Sequence, residues 1–148
     1  MRTITILLLL SLPVLLNAQT PPVEGVWTCS EKDCRIEIYQ TSLQPWEARL
    51  LWSRKELDEA GNPKLDVHNP DPAKRHLPVI GSKTLWGARY NPATGYFEDA
   101  RAYRNGRYFC GKFKLEADGS LSVTGYLCSF KLLRYTEHWT RLSERPAK

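Results

Sequence analysis

The chain has 148 residues, 42% of them hydrophobic and 25% charged, with four cysteines and a formal net charge of +5. That length bounds it to one domain able to bury roughly two-thirds of its unfolded surface, and no repeat or low-complexity segment divides it. A basic balance raises nucleic acid or an anionic envelope surface as partners; the export signal described next excludes the first and leaves the second.

Residues 1–18 read as a cleavable signal peptide. Arg2 precedes an apolar run of roughly a dozen residues, the size of a signal-peptide core, and Pro13 interrupts it. A membrane-spanning helix needs about 20 apolar residues, so no transmembrane segment is expected after cleavage. Ala18 before polar Gln19 and Thr20 places the cut after Ala18, and no cysteine stands there to take a lipid. The expected organisation is a signal peptide over 1–18 and a single domain over 19–148, periplasmic or secreted. All four cysteines, Cys29, Cys34, Cys110 and Cys128, fall in the second part. In an oxidising compartment an even count favours disulfides, and four cysteines allow three pairings.

In chain order, Gly25–Cys29 and Cys34–Thr41 alternate apolar and polar residues around the turn Ser30-Glu31-Lys32-Asp33. Pairing across it sets Cys29 opposite Cys34, Trp27 opposite Ile36 and Gly25 opposite Ile38, with the apolar side chains on one face. A third strand runs from Trp46 to Trp52. Residues 53–78 are charged and carry Gly61-Asn62-Pro63, Asn69-Pro70 and Asp71-Pro72. Prolines do not serve a central ladder, so this is a long loop with room for a short helix.

Strands resume over Lys83–Tyr90 and Tyr96–Arg104. Asn105-Gly106 is a two-residue hairpin signal, because both central residues of that turn need positive φ. It pairs Tyr103 with Tyr108, Arg101 with Cys110 and Asp99 with Lys112. A three-residue loop at 118–120 joins Tyr108–Glu116 to Leu121–Ser129, setting Leu115 opposite Val123 and Cys110 opposite Cys128. Phe109, Phe113, Leu115, Leu121, Val123 and Leu127 then share an apolar face. Arg134–Leu142 is the last strand. The predicted fold is all-β: about eight antiparallel strands in an up-and-down meander, closing into a small barrel because closure removes exposed edges. An open sandwich is the alternative. The predicted disulfides are Cys29–Cys34 and Cys110–Cys128.

Gly25-Val26-Trp27 in the first strand and Trp139-Thr140-Arg141 in the last resemble the calycin superfamily, which includes the lipocalins. The resemblance implies that Trp27 plugs one barrel end while Arg141 packs across its ring, with Trp139 beside them. The chain also resembles an exported bacterial family of unknown function, the domain numbered 2147. The matching stretches are Gly25-Val26-Trp27, the run from Asp66 to Arg75, Pro78-Val79-Ile80-Gly81, Tyr103, Gly106-Arg107-Tyr108, Leu121, Gly125-Tyr126 and Trp139-Thr140-Arg141. Leu77 and Arg104-Asn105 depart from the family pattern, which tends to carry a second arginine and an Asp-Pro there. The resemblance implies a lipocalin-like barrel and an exported location, and no particular activity.

The richest polar cluster lies in the loop 66–81. Asp66, Asn69, Asp71 and Arg75 are candidate ligand-binding residues, with Arg75 offering a forked donor to a carboxylate or phosphate. The competing reading has the Asx residues capping turns and Arg75 paired with one of the acids. His68 and His76 with Asp66 and Asp71 fit no zinc-ligand spacing, and neither a metal nor a cofactor is assigned. Without Gly-x-Ser-x-Gly, and with the cysteines spent in disulfides, no catalytic residue is assigned; an exported hydrolase is the third reading. Arg101, Arg104, Arg107, Lys112 and Lys114 with Tyr103 and Tyr108 make a basic aromatic patch on the hairpin 101–114. The expected function is therefore a non-enzymatic calycin-like domain binding a small apolar or amphipathic molecule. The alternative is an envelope or secreted interaction module acting through loop 66–81 and the basic hairpin.

Overall fold

The computed structural model describes residues 19–42 and 45–143. The signal-peptide expectation over 1–18 lies outside the described residues. Eight strands follow one another: β1 (Gly25–Thr28), β2 (Cys34–Gln40), β3 (Trp46–Ser53), β4 (Lys83–Asn91), β5 (Tyr96–Arg104), β6 (Arg107–Leu115), β7 (Leu121–Leu127) and β8 (Phe130–Ser143). Each pairs antiparallel with its neighbour, and β1 pairs with β8, so the sheet closes on itself as a barrel. One 3-10 turn, Pro72–Lys74, interrupts the long β3–β4 loop. No helix among the described residues is long and apolar enough to cross a membrane.

The alternation read from the sequence fixes the faces. Trp27, Ile36, Ile38, Trp46, Ala48, Leu50, Leu85, Ala88, Phe97, Ala100, Phe113, Leu121 and Trp139 are buried together in the interior. The β1–β2 register sets Gly25 opposite Ile38 and Trp27 opposite Ile36, and Cys29 is bonded to Cys34 across the turn. Asn105 and Gly106 have φ of 48° and 81°, the left-handed pair that a two-residue hairpin turn requires, and Arg101 faces Cys110.

Two registers differ from the sequence reading. Asp99 does not face Lys112: the β5–β6 ladder shifts between Phe97 and Ala100, where Asp99 adopts φ 59°. A residue in the left-handed region steps out of the pleat and takes its partner out of register. In the β6–β7 hairpin Leu115 faces Leu121, not Val123, and Cys110 faces Tyr126. The turn closes through the Glu116 amide on the Ser120 carbonyl and the Gly119 amide on the Glu116 carbonyl, so Ser120 takes part in closing the turn and Leu121 pairs directly. A slip of two keeps every side chain on its face, and Phe113 and Leu121 remain buried. Cys110 and Cys128 are still bonded, because the β7–β8 ladder shifts between Tyr126 and Leu127. Leu127 leaves the expected apolar face and is exposed.

Candidate functional site

An up-and-down meander places alternate turns at opposite ends. One end holds the N-terminal segment and the β2–β3, β4–β5 and β6–β7 turns; the other holds the β1–β2, β5–β6 and β7–β8 turns with the long loop. The first end is solid. Trp27 is fully buried, and its indole Nε1 donates to the Val23 carbonyl at 2.9 Å. The Arg141 guanidinium lies 4.3 Å from the Trp27 ring centroid, donates from Nη1 to the Glu24 carbonyl at 2.7 Å and from Nη2 to the Pro22 carbonyl. A guanidinium on the electron-rich face of an indole is attracted by the ring quadrupole, and here its edge ties down the incoming chain. Above this plug Phe97 and Phe113 stack at 4.7 Å, and Trp46 meets Phe97 edge-on at 5.4 Å. Trp139 donates from its indole to Glu137 Oε2 at 2.8 Å.

Toward the other end the filling is interrupted beside β7. Gly111 and Gly125 face each other in register, on the parity that turns Phe113 and Leu121 inward. A methyl group at Gly125 would meet no atom within 4 Å, whereas one at Gly111 would lie 2.6 Å from the Thr124 carbonyl oxygen. Tyr135, the register partner of Gly125 on β8, is exposed. Val79 and Ile80, from the end of the long loop, pack against the core as part of this rim. The two glycines carry no site assignment from the sequence, whereas Val79 and Ile80 fall within the candidate loop 66–81. The signal present was a bare Gly on β6 and another on β7 in an otherwise bulky pattern.

The loop candidates come together, and they serve one another. Asp66 and Asn69 are buried. Asp66 accepts from the Asn69 amide at 2.7 Å and from the Tyr103 hydroxyl at 2.9 Å. Asn69 Oδ1 accepts from the Asp71 amide at 2.9 Å, and Arg75 Nε donates to the Asn69 carbonyl at 2.8 Å rather than to an acid. Asp71 caps the 3-10 turn through the Ala73 amide at 3.0 Å. Tyr103 ties this loop to the barrel: its oxygen also accepts from the Gly106 amide at 2.9 Å. By sequence alone Tyr103 belongs to the basic aromatic patch of the hairpin 101–114.

Burial, and then the bond to Asp66, raise the Tyr103 hydroxyl above its ordinary value of 10.0. A folded value above the unfolded one gives stability that is complete below pH 10 and is lost as pH rises through the folded value. Tyr103→Phe is therefore expected to flatten the fall in stability above pH 10. At neutral pH it is expected to cost about 1–3 kcal/mol, because Asp66 and the Gly106 amide each lose a partner. Urea melts at pH 7 and in steps from pH 9.5 to 11 check both; parallel curves for the two proteins above pH 10 would remove Tyr103 from the alkaline transition.

The basic hairpin divides. Lys112 and Lys114 sit over the Tyr96 ring, at 4.0 Å and 5.4 Å, and Arg101 Nη1 donates to Cys128 Sγ at 3.2 Å. Arg104 and Arg107 flank the open end and share an open depression with His68 and Phe109. Metal-ligating atoms converge at Cys29, Asp33 and Cys34, but those two sulfurs are joined to each other and are not thiolates.

A closed eight-stranded antiparallel barrel, stoppered by a Gly-x-Trp indole under an arginine from its last strand, has a calycin-like fold. The chain belongs to the family described as an uncharacterized protein conserved in bacteria, domain of unknown function 2147, which matches residues 25–141. Among solved structures it is similar to protein HP1028 from the human pathogen Helicobacter pylori, described as belonging to the lipocalin family. The two share 20% identity at a TM-score of 0.67, over 81% of this chain and 82% of that one. No curated protein matches the chain.

Proposed function

We propose that this is an exported, non-enzymatic calycin-like module that takes a small apolar or amphipathic molecule end-on into its open mouth. The observation that carries the reading is the unfilled inward face at Gly125, where a side chain would meet nothing within 4 Å, set above a floor closed by Phe97, Phe113 and Leu121. An apolar body would rest on that floor between Val123, Gly125 and Tyr135. A polar head would face the solvent and the cations Arg104 and Arg107. The two disulfides fit a compartment outside the cytosol, in keeping with a signal peptide over 1–18 and one domain over 19–148. Asp66, Asn69, Asp71 and Arg75 would then shape the rim, holding Val79 and Ile80 in place, and contact a ligand only through that edge.

Filling the mouth tests this. Gly125→Leu is expected to leave the melting temperature within a few degrees and to lower affinity for palmitate or an anilinonaphthalene sulfonate dye at least tenfold. Gly111→Ala is expected to destabilise by about 1–3 kcal/mol through overpacking against the Thr124 carbonyl. Fluorescence titration and thermal melts read both. If wild type binds neither probe, and native mass spectrometry of protein from its own host shows no retained small molecule, the interior-ligand reading is wrong.

A further inference from the structure

The β7–β8 hairpin carries a second surface that the mouth does not explain. β1 pairs with β8 only through Thr140, Arg141 and Ser143, so Phe130–His138 has β7 on one side and no ladder partner on the other among the described residues. This projecting stretch is apolar where it is most exposed: Leu127 is 41%, Phe130 48%, Leu132 79% and Leu133 64% accessible. Single exposed apolar residues are ordinary, but a cluster of this kind at one tip marks a contact.

Its charges say with what. Lys131 and Arg134 stand on the hairpin, and Arg104 and Arg107 on the neighbouring β5–β6 turn at the same end. None of the four forms an ion pair or a side-chain hydrogen bond among the described residues, where the ion pairs are Arg49–Glu37, Lys74–Asp71 and Lys83–Glu47. Glu98 and Asp99 line a depression with Lys131 and Arg134, yet the Glu98 carboxylate is taken by Asn91 and Thr94. A second copy would set cations against cations along the same strand. An added strand would cover the free edge and leave the faces of Leu132 and Leu133 in water. A fluid apolar phase with an anionic surface covers both faces and the tip at once and satisfies the four cations.

We infer that the tip of the β7–β8 hairpin, Leu127 to Leu133, docks the protein onto an anionic lipid bilayer. The apolar side chains enter the headgroup region, and Lys131, Arg134, Arg104 and Arg107 lie on the lipid phosphates. The long axis of the barrel then stands on the membrane with its mouth facing the lipid.

The test is co-sedimentation with vesicles of phosphatidylglycerol and phosphatidylethanolamine, against vesicles of phosphatidylcholine alone. Wild type is expected to bind the anionic vesicles at least tenfold more tightly, and to lose most of that binding between 50 and 500 mM salt, as screening dictates. Leu132→Ser/Leu133→Ser and, separately, Lys131→Gln/Arg134→Gln are each expected to weaken partitioning at least tenfold with an unchanged melting temperature. The polar double variant is expected to keep its affinity for the dye in free solution, which separates failure of docking from failure of the interior site. Equal binding to both vesicle types, or undiminished binding by either double variant, overturns the inference. So does a concentration-dependent dimer in sedimentation velocity that the polar variant abolishes without any vesicle binding, since the tip would then be a contact between copies.

Discussion

Trp27→Ala is expected to destabilise the barrel by about 3–5 kcal/mol, the range for emptying a buried aromatic site, and to lower the melting temperature on the order of 10–20 °C. The ring is fully buried, packed beneath the Arg141 guanidinium and hydrogen-bonded to the Val23 carbonyl. Its loss removes apolar area, a cation–π contact and the anchor of the N-terminal segment together. Trp52→Ala serves as the control. That ring lies 5.3 Å from Arg35 and is only half-buried, and a loss of about 1 kcal/mol is expected from a partly solvated stack. Equal losses in the two variants, read by urea denaturation, would show that Trp27 does not hold the barrel end.

Removing the Cys110–Cys128 bond as Cys110→Ser/Cys128→Ser is expected to cost about 3 kcal/mol, and Cys29→Ser/Cys34→Ser about 2 kcal/mol. The difference follows from sequence separations of 18 and 5, since a longer closed loop restricts the unfolded chain more. The first bond also fastens the turn of the β7–β8 hairpin to β6, through Cys128 next to Leu127. Amide exchange in its variant should quicken over Tyr126–Tyr135 while the Trp27 end keeps its protection. Uniform loss of protection would mean that the bond acts on the whole fold and not on the hairpin.

Much of the fold is written locally. The Asn105-Gly106 pair sets the β5–β6 hairpin because few residues tolerate two consecutive positive φ angles, and the four polar residues between Cys29 and Cys34 set β1–β2. Trp27 and Arg141 were legible as a pair only through their likeness to calycin barrels, since 114 positions of chain separate them and no local rule links such distant residues. What the sequence hid depends on single backbone states. Asp99 carries no turn signature, yet its left-handed conformation moves the strand out of register with Lys112. The β6–β7 register turned on whether Ser120 belongs to loop or ladder, a choice that composition does not make.

The candidate site was legible in part. Asx residues before proline announced a self-bonded loop, but not that Tyr103, from a strand 37 residues on, would be its anchor. The open mouth was harder to read, because a glycine in a strand signals bulge, bend and vacancy alike. The docking tip was missed for another reason. The sequence pattern starts the last strand at Arg134, whereas the strand begins at Phe130, so that pattern places the apolar residues that project furthest in a turn.

Arg141 holds Pro22 and Glu24 by their carbonyls, across sequence separations of 119 and 117, and this has a consequence for how the chain is born. A polypeptide emerging N-terminus first can form its hairpins one after another, each from neighbouring segments. It cannot seal the seam until almost the last residue of β8 has emerged, and until then the indole of Trp27 lacks its cover. Sealing is thus a late step that joins the two strands furthest apart in sequence. A chain cut short before Arg141 would remain an unsealed sheet with two adhesive margins, vulnerable to proteases and to its own kind.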